Sequence, residues 1–176
     1  MHQPITQTII ALALCLIVLC SFAYSIYRIT RQSDTTTIDT VVRHDHLIPT
    51  RAHHGDAGAD LKATRWTRIP VGGREMINTG VAVAIPDGYV GLLFSRSGHG
   101  LSGVSLANSV GVIDSGYNGE IRVTLENRGN TPFEVHPGHR VAQLVIVPMI
   151  TPAFRDVEAL PSTDRGHKGF GSTGVK

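Results

Sequence analysis

The sequence predicts an all-β domain, built as a sandwich, a barrel or a jelly roll. The first observation is a series of apolar, β-branched segments bounded by Gly, Pro, Asn or Asp: VAVAIP (81–86), YVGLLFSR (89–96), EIRVTLEN (120–127) and RVAQLVIVPM (140–149). The second is strict alternation in EIRVTLEN, where every second residue is apolar, as in a strand with one buried face. Outside residues 9–27, no window of a dozen residues shows a helical apolar stripe. Strands and turns therefore account for the domain.

Length and composition fit one turn-rich domain with an appendage. The chain has 176 residues, of which 19 are glycine, and only 17% are charged. Its formal net charge of +2 excludes the strongly basic surface that duplex nucleic acid requires, although a phosphate pocket needs only a few local cations. Because of this low net charge, we expect no nucleic-acid partner. Cys15 and Cys20 both lie in the apolar N-terminal segment, so the remainder of the chain contains no disulfide.

The N-terminal segment predicts a transmembrane helix over residues 9–27, after a tail of residues 1–8. The segment carries no charge, and at a rise of about 1.5 Å per residue it nearly matches a hydrocarbon core of about 30 Å. Arg28 and Arg31 follow it while no Lys or Arg precedes it, so the positive-inside rule predicts a single-pass membrane protein with a cytoplasmic C-terminal domain. A cleaved signal peptide is the alternative, because Ala23-Tyr24-Ser25 offers small residues near a cleavage point, although a basic n-region is missing.

The remaining boundaries follow from composition. Residues 28–37 form a short, polar segment, which predicts a tether between the helix and the domain. The β domain is expected over residues 38–163, and the chain contains no internal repeat. Residues 164–176 form the last segment, in which RGHKGFGSTGVK (165–176) contains four glycines. We expect this segment to be a mobile C-terminal arm.

Five short segments combine glycine with charged or polar residues: AGADLKA (57–63), SRSG (95–98), NSVGVIDSGYNGE (108–120), GHRVAQL (138–144) and DRGHKGFGSTG (164–174). In this order and spacing they resemble the five motifs of the trimeric deoxyuridine triphosphatase (dUTPase) family, over residues 38–176. The resemblance implies a dUTPase-like β jelly roll, or β-clip, that assembles as a homotrimer with shared active sites. It also implies hydrolysis of dUTP to dUMP and pyrophosphate, the dUTP diphosphatase reaction.

A nucleoside triphosphate offers three linked anionic groups, which call for arginine side chains, small hydroxyls and free backbone N–H groups. By the resemblance, the residues that supply these groups are Arg96, Ser97, Gly98, Gln143, Arg165, Gly171 and Ser172. Taken alone, Arg96 is more typical of a surface ion pair, and Gln143 of the polar face of a strand. The five segments together favour the triphosphate site.

Asp114 resembles the general base of the family, which activates a water molecule for attack on the α-phosphorus. An alternative is that Asp114 only ends a strand, because the Ser-Gly-Tyr-Asn-Gly sequence after it is typical of a turn. Asp60 resembles the second carboxylate, which orders the phosphate and magnesium end of the site. The resemblance implies Mg²⁺ bound by the triphosphate and by water, with no direct protein ligand, in keeping with the ion's reluctance to lose water. The histidines of HDH (44–46) and HH (53–54) lack the companion spacing of a zinc site.

Base and sugar recognition are implied by the third segment and the arm. Asn108 resembles the residue that reads the uracil edge, where an amide supplies both a donor and an acceptor. Gly111 belongs to the same substrate-binding segment. Tyr117 resembles the aromatic residue that packs under the deoxyribose and leaves no room for a 2′-hydroxyl; otherwise it is an ordinary turn aromatic. Phe170 resembles the ring that stacks on uracil when the arm closes.

The resemblance further implies that each active site takes residues from three chains. Asp60 and Arg96 would come from one chain, Asp114 and Tyr117 from a second, and the arm with Arg165 from a third. The chain departs from the family at Ser95, usually Pro, at 99–101 (His-Gly-Leu), usually beginning Leu-Ala, and at Ala59, usually aromatic.

Three other functions share features with this sequence. The related deoxycytidine triphosphate deaminase carries a catalytic Glu ten residues after the Asp, where this chain has Thr124, so deamination is disfavoured. GHKGFGS (166–172) has the glycine spacing of a P-loop but lacks its Lys and a following helix. A binding or signalling protein that keeps the dUTPase fold with little turnover is the remaining alternative.

Overall fold

The computed structural model describes residues 13–25 and 37–169. Helix α1 covers 13–25, a 3-10 turn covers Asp45–Leu47, and the short helix α2 covers Ser97–Leu101. The strands are β1 (Thr40–Val42), β2 (Ala59–Lys62), β3 (Thr67–Ile69), β4 (Arg74–Asn78), β5 (Val81–Val83), β6 (Tyr89–Phe94), β7 (Val104–Leu106), β8 (Val110–Ile113), β9 (Arg122–Asn127), β10 (Phe133–Val135) and β11 (Arg140–Pro148). The prediction of an all-β domain is confirmed, and each of the four predicted strand segments contains a strand.

Two antiparallel sheets carry most of the strands. One has the order β2-β11-β6-β8 and the other the order β4-β9-β7, and two further pairs join β1 with β5 and β10 with β3. The core lies between them, because alternate residues of β9 such as Val123 and Leu125 are buried against residues of the other sheet such as Leu61 and Leu144. Each fully buried apolar side chain stabilises this core by about 1.5–3 kcal/mol.

A buried polar cluster closes the C-terminal end of β9. Glu126 is only 8% exposed and accepts hydrogen bonds from Arg128 (2.8 Å) and Arg74 (3.0 Å), which lower the pKa of its carboxyl group. The fully buried Asn127 donates from Nδ2 to the carbonyl oxygens of Ile69 (3.1 Å) and Thr131 (2.8 Å). These bonds satisfy the polar groups that the alternation of β9 would otherwise leave in the core.

The membrane prediction is wrong. Within the described residues, helix α1 covers 13–25. Across the described ranges 13–25 and 37–169, the protein has no helix with the length and apolar character needed to cross a bilayer. The ends of the predicted span, 9–12 and 26–27, lie outside the described residues, as does most of the predicted tether.

The chain beyond β11 leaves the sheets. Residues 149–169 form neither helix nor strand, and the side chains of Phe154 and Leu160 are 99% and 83% exposed. The domain limits at 38 and 163 stay predictions.

Candidate active site

A carboxylate held by two arginines lies on the edge of the larger sheet. Asp60 projects from β2 with a side chain 13% exposed, and its Oδ1 accepts a hydrogen bond from Nε of Arg96, just after β6, at 2.9 Å. Its Oδ2 accepts from Nη1 of Arg140, the first residue of β11, at 3.3 Å. One carboxylate therefore faces two guanidinium groups, and the cluster keeps a net positive charge with further N–H donors free to bind an anion.

Arg140 joins this cluster because of a β-bulge. In a regular strand, Arg140 and Gln143 would point to opposite faces, since they are three residues apart. The register of β11 with β2 shifts instead: Arg140 pairs with Lys62 while Ala142 pairs with Leu61, so Val141 is an extra residue. Both polar side chains consequently face the same cavity. Sequence reasoning missed Arg140, although two adjacent buried apolar residues between polar ones are a possible sign of a bulge.

Gln143 is held by its surroundings. Its Nε2 donates to the carbonyl oxygen of Ser95 at 3.2 Å. A Cβ placed on Gly58 would overlap Oε1 of Gln143 and lie 3.0 Å from its Cβ, so only glycine fits at position 58. The side chain amide is thus oriented toward the cavity before any ligand binds.

The cavity formed by these residues has a volume of about 290 Å³ and a polar lining. Ser97 and Gly98 open helix α2 beside it, and the first N–H groups of a helix have no intrahelical partner. Open space surrounds the position that a Cβ on Gly98 would take. The structure therefore brings together four predicted triphosphate residues and adds one: Asp60, Arg96, Ser97, Gln143 and the additional Arg140.

His99 lies behind Arg96 in helix α2. Its ring meets the ring of Phe133 edge-on, with centroids 5.3 Å apart, and its buried Nδ1 has no hydrogen-bond partner in the described part of the chain. Burial lowers the pKa of His99 from its usual value, the charge of Arg96 lowers it further, and Asp60 opposes the shift. His99 is therefore neutral at pH 7 and adds no charge to the cavity.

We expect His99→Leu to raise the melting temperature by about 2–4 °C at pH 7, the shift that relief of about 1 kcal/mol produces in a domain of this size. Leucine would pack on Phe133 without an unpaired nitrogen. The gain should grow as the pH falls below about 6.5, because the unfolded histidine binds a proton there while the folded one resists protonation. Thermal unfolding at several pH values measures both effects, and a gap independent of pH would contradict the second.

A second group of predicted residues lies in the turns before and after β8. Asp114 and Tyr117 line a cavity of about 300 Å³, and Asn108 lines a neighbouring cavity of about 320 Å³. The two cavities share Arg122 and Thr124 as wall residues. The residue that resembles the uracil reader therefore lines a cavity next to the one lined by those that resemble the base and the sugar contact.

The turn that carries Asp114 and Tyr117 has a defined shape. The N–H of Tyr117 donates to the carbonyl oxygen of Asp114 at 3.2 Å, and Gly116 between them has a φ of 84°, which favours glycine. A Cβ on Gly119 would lie 2.6 Å from the hydroxyl oxygen of Tyr117, so the ring rests against a residue without a side chain. Gly111 lies on β8, where a Cβ would crowd Leu93 at 3.0 Å, and it lines neither cavity.

The two groups lie at opposite ends of one strand pair. In the antiparallel pairing of β6 with β8, Phe94 lies opposite Val110 and Gly91 lies opposite Ile113. Arg96 follows the first end and Asp114 follows the second, so about six residue steps, or roughly 20 Å, separate their backbones. Within one chain, Arg96 and Asp114 therefore line separate cavities.

The arm is only partly described. Arg165 lies exposed, and its Nε donates to the carbonyl oxygen of Lys168 at 3.2 Å. The remaining predicted arm residues, Phe170, Gly171 and Ser172, lie outside the described residues. The structure therefore leaves their contacts with substrate as predictions.

Comparisons with known proteins agree with the five segments. A family model described as dUTPase matches residues 44–174. The deoxyuridine 5′-triphosphate nucleotidohydrolase of Leifsonia xyli subsp. xyli (strain CTCB07) is 40% identical over 144 residues, which cover 81% of this chain and 93% of that protein.

Solved structures extend the agreement to the fold. The dUTPase of Staphylococcus bacteriophage 80alpha, with dUPNHPP, is similar with a TM-score of 0.74 and 33% identity, covering 80% of this chain and 100% of that one. A mutant dUTPase from phage phi11 of S. aureus, described with a structural Mg(II) ion, is similar with a TM-score of 0.66 and 29% identity, covering 72% and 100%. From the family match and these similarities together, we conclude that the chain belongs to the dUTPase family.

Proposed function

We propose that this protein hydrolyses dUTP to dUMP and pyrophosphate. The observation that carries the proposal is the polar cavity that Arg96, Arg140 and Gln143 line together, since such a set suits a linked anion. The Leifsonia relative is named for this substrate, and the similar phage 80alpha dUTPase has a structure with dUPNHPP.

The triphosphate would bind in the Asp60–Arg96 cavity. Arg96 and Arg140 use one donor each on Asp60 and retain others for phosphate oxygens, while Ser97, Gly98 and Gln143 supply a hydroxyl, an N–H and an amide. Asp60 then acts as a positioning residue, because it fixes the two guanidinium planes before the substrate arrives. Asparagine at position 60 would keep one acceptor but lose the charge that holds both arginines.

Magnesium would arrive with the substrate. Both oxygens of Asp60 face arginines, and across residues 13–25 and 37–169 no three His, Cys, Asp or Glu side chains cluster as metal ligands. We therefore assign Mg²⁺ to the triphosphate oxygens and to water, with no direct ligand from the chain. When bound, the ion neutralises charge that develops on the leaving pyrophosphate.

Asp114 would act as the general base. It lies at the end of β8 on the rim of an open cavity, where its carboxylate can take a proton from a water aligned with the α-phosphorus. Asn108 would read the uracil edge within the segment that includes Gly111. Tyr117 would pack under the deoxyribose, so that a 2′-hydroxyl is rejected by a clash.

The active chemistry would require a homotrimer. Because roughly 20 Å separates Arg96 from Asp114 along the strands, the two groups can meet at one nucleotide only when they come from different chains. In such an assembly, a neighbouring chain could cover the exposed Phe154 and Leu160 after β11.

Pyrophosphate release from each deoxynucleoside triphosphate, with Mg²⁺ and the full chain, tests the proposed function. We expect rapid release from dUTP and at least about a hundredfold lower kcat/KM for dCTP, dTTP and dATP. Ammonia release from dCTP would favour the deaminase alternative. Binding of dUPNHPP without turnover of dUTP would contradict the enzyme and favour a binding protein.

Removal of the arm should greatly lower kcat/KM for dUTP without unfolding the domain. A chain that ends at Asp164 lacks Arg165, Phe170, Gly171 and Ser172 but keeps every strand, since β11 ends at Pro148. We expect kcat/KM for dUTP to fall by about a hundredfold, because the arm would close over the bound nucleotide. A chain that ends at Gly174 is the matched control and should retain full activity. An active chain ending at Asp164 would refute the role of the arm.

A further inference from the structure

Glu120 ends the Asp114–Glu120 turn and links this turn to a different part of the protein. Its Oε1 accepts a hydrogen bond from the backbone N–H of Gly80 at 2.7 Å, in the turn between β4 and β5. Its Oε2 lies 3.4 Å from Nη2 of Arg43, and its carbonyl oxygen accepts from the hydroxyl of Tyr117 at 3.0 Å. One residue thus contacts both the tyrosine and a turn far away in the sequence.

The Thr79–Gly80 turn, whose Gly80 N–H donates to Glu120, is closely packed and rigid. Gly80 has a φ of 68°, and a Cβ there would lie 2.9 Å from the buried Leu47, so the backbone is closely packed. The fully buried Thr79 donates from its hydroxyl to the carbonyl oxygen of Ile121 at 2.6 Å, and the N–H of Ile121 donates to Val81 at 2.8 Å. The anchor of Glu120 therefore belongs to the core of the domain.

The Asp114–Glu120 turn, which carries Tyr117, is more exposed to solvent than the Thr79–Gly80 turn. Tyr117 is 43% exposed, and its ring lies close to Gly119, which has no side chain. A tyrosine held by one hydrogen bond to the backbone of Glu120 follows the position of that residue. The bond from Gly80 to Glu120 thus fixes the position of the phenol ring in the cavity that Asp114 and Tyr117 line.

We propose that Glu120 is a positioning residue for sugar discrimination, which fixes Tyr117 by holding the Asp114–Glu120 turn on the Thr79–Gly80 turn. The inference rests on the proposed function, in which Tyr117 excludes a 2′-hydroxyl. A ring that shifts by about 1 Å would admit the ribonucleotide and contact the deoxyribose less well. Gly80 makes the decisive contact, since the exposed Arg43 pair at 3.4 Å is worth little.

The ratio of kcat/KM for dUTP to that for UTP measures this role. We expect Glu120→Ala to lower the ratio about tenfold or more, through both a lower value for dUTP and a higher value for UTP. Glu120→Gln keeps an oxygen for the Gly80 N–H and should keep the ratio within about threefold of wild type. Arg43→Ala should also stay within about threefold.

Two outcomes would overturn the proposal. If Glu120→Ala lowers the melting temperature and slows both nucleotides by the same factor, Glu120 is merely structural. If Glu120→Gln loses discrimination as fully as Glu120→Ala, the Gly80 bond is not the cause. Should Glu120→Ala fail to fold, Glu120→Asp, which withdraws the carboxylate by one methylene, serves for the same comparison.

Assays of the wild-type protein with dUTP and UTP distinguish a failure of the proposed function from a failure of the role of Glu120. A wild-type protein that hydrolyses no dUTP overturns the proposed function and with it the role of Glu120. A wild-type protein that prefers dUTP to UTP, with the preference intact in Glu120→Ala, overturns only the role of Glu120. Glu134→Ala, an exposed glutamate on β10, is the matched control and should change neither rate.

Discussion

Asn at position 114 is expected to lower kcat for dUTP by about 10²–10⁴-fold while KM changes by less than about threefold. The amide of Asp114→Asn has nearly the same size as the carboxylate and can keep the turn, but it cannot take a proton from water. The loss should therefore fall on the chemical step, with binding of dUPNHPP preserved. Steady-state rates of pyrophosphate release, together with titration of dUPNHPP, separate the two effects.

A matched substitution guards against a general effect of removing charge. Asp87 lies exposed in the turn after β5, away from both cavities, and Asp87→Asn should leave kcat unchanged. If Asp114→Asn kept more than about a tenth of the wild-type kcat, Asp114 would be a turn residue and the base would have to be sought elsewhere. The same protein also tests the rival interpretation of the sequence, in which Asp114 only ends a strand.

The strands with clear alternation were predictable because one face of each must be buried. In β9, Val123 and Leu125 point into the core as their spacing required. Shorter strands such as β3 and β10 escaped prediction, since three residues give too little pattern. The helix over 13–25 lies in the segment whose uncharged apolar sequence predicted a helix, but the predicted membrane span is not supported by any helix of the described residues.

The sites divide along a similar line. Asp60, Arg96 and Gln143 were predicted through the resemblance of the five segments to the dUTPase motifs, and they do meet at one cavity. Arg140 was missed, because a bulge moves it to the face of Gln143 and no rule of period two predicts such a shift. The link from Glu120 to Gly80 was equally hidden, since its partners lie 40 residues apart in the sequence.

Two inactive chains should restore activity to each other if the site is shared. Arg96→Ala removes a phosphate ligand and Asp114→Asn removes the base, so each homotrimer should be inactive. In a mixed trimer, a site that takes Arg96 from one variant and Asp114 from the other is intact. Every trimer that contains both variants has one complete site of its three, so we expect purified mixed trimers to reach about a third of the wild-type rate.

The matched control for complementation pairs two lesions in one cavity. Asp60 and Arg96 are joined by a 2.9 Å ion pair within the same chain, so mixing Asp60→Asn with Arg96→Ala never creates a cavity with both residues intact. That mixture should stay as inactive as its components. Coexpression with two affinity tags and purification of trimers that carry both provides the sample for each pair. If the Arg96 and Asp114 variants failed to restore activity in verified mixed trimers, each site would belong to one chain, which the antiparallel separation of roughly 20 Å argues against.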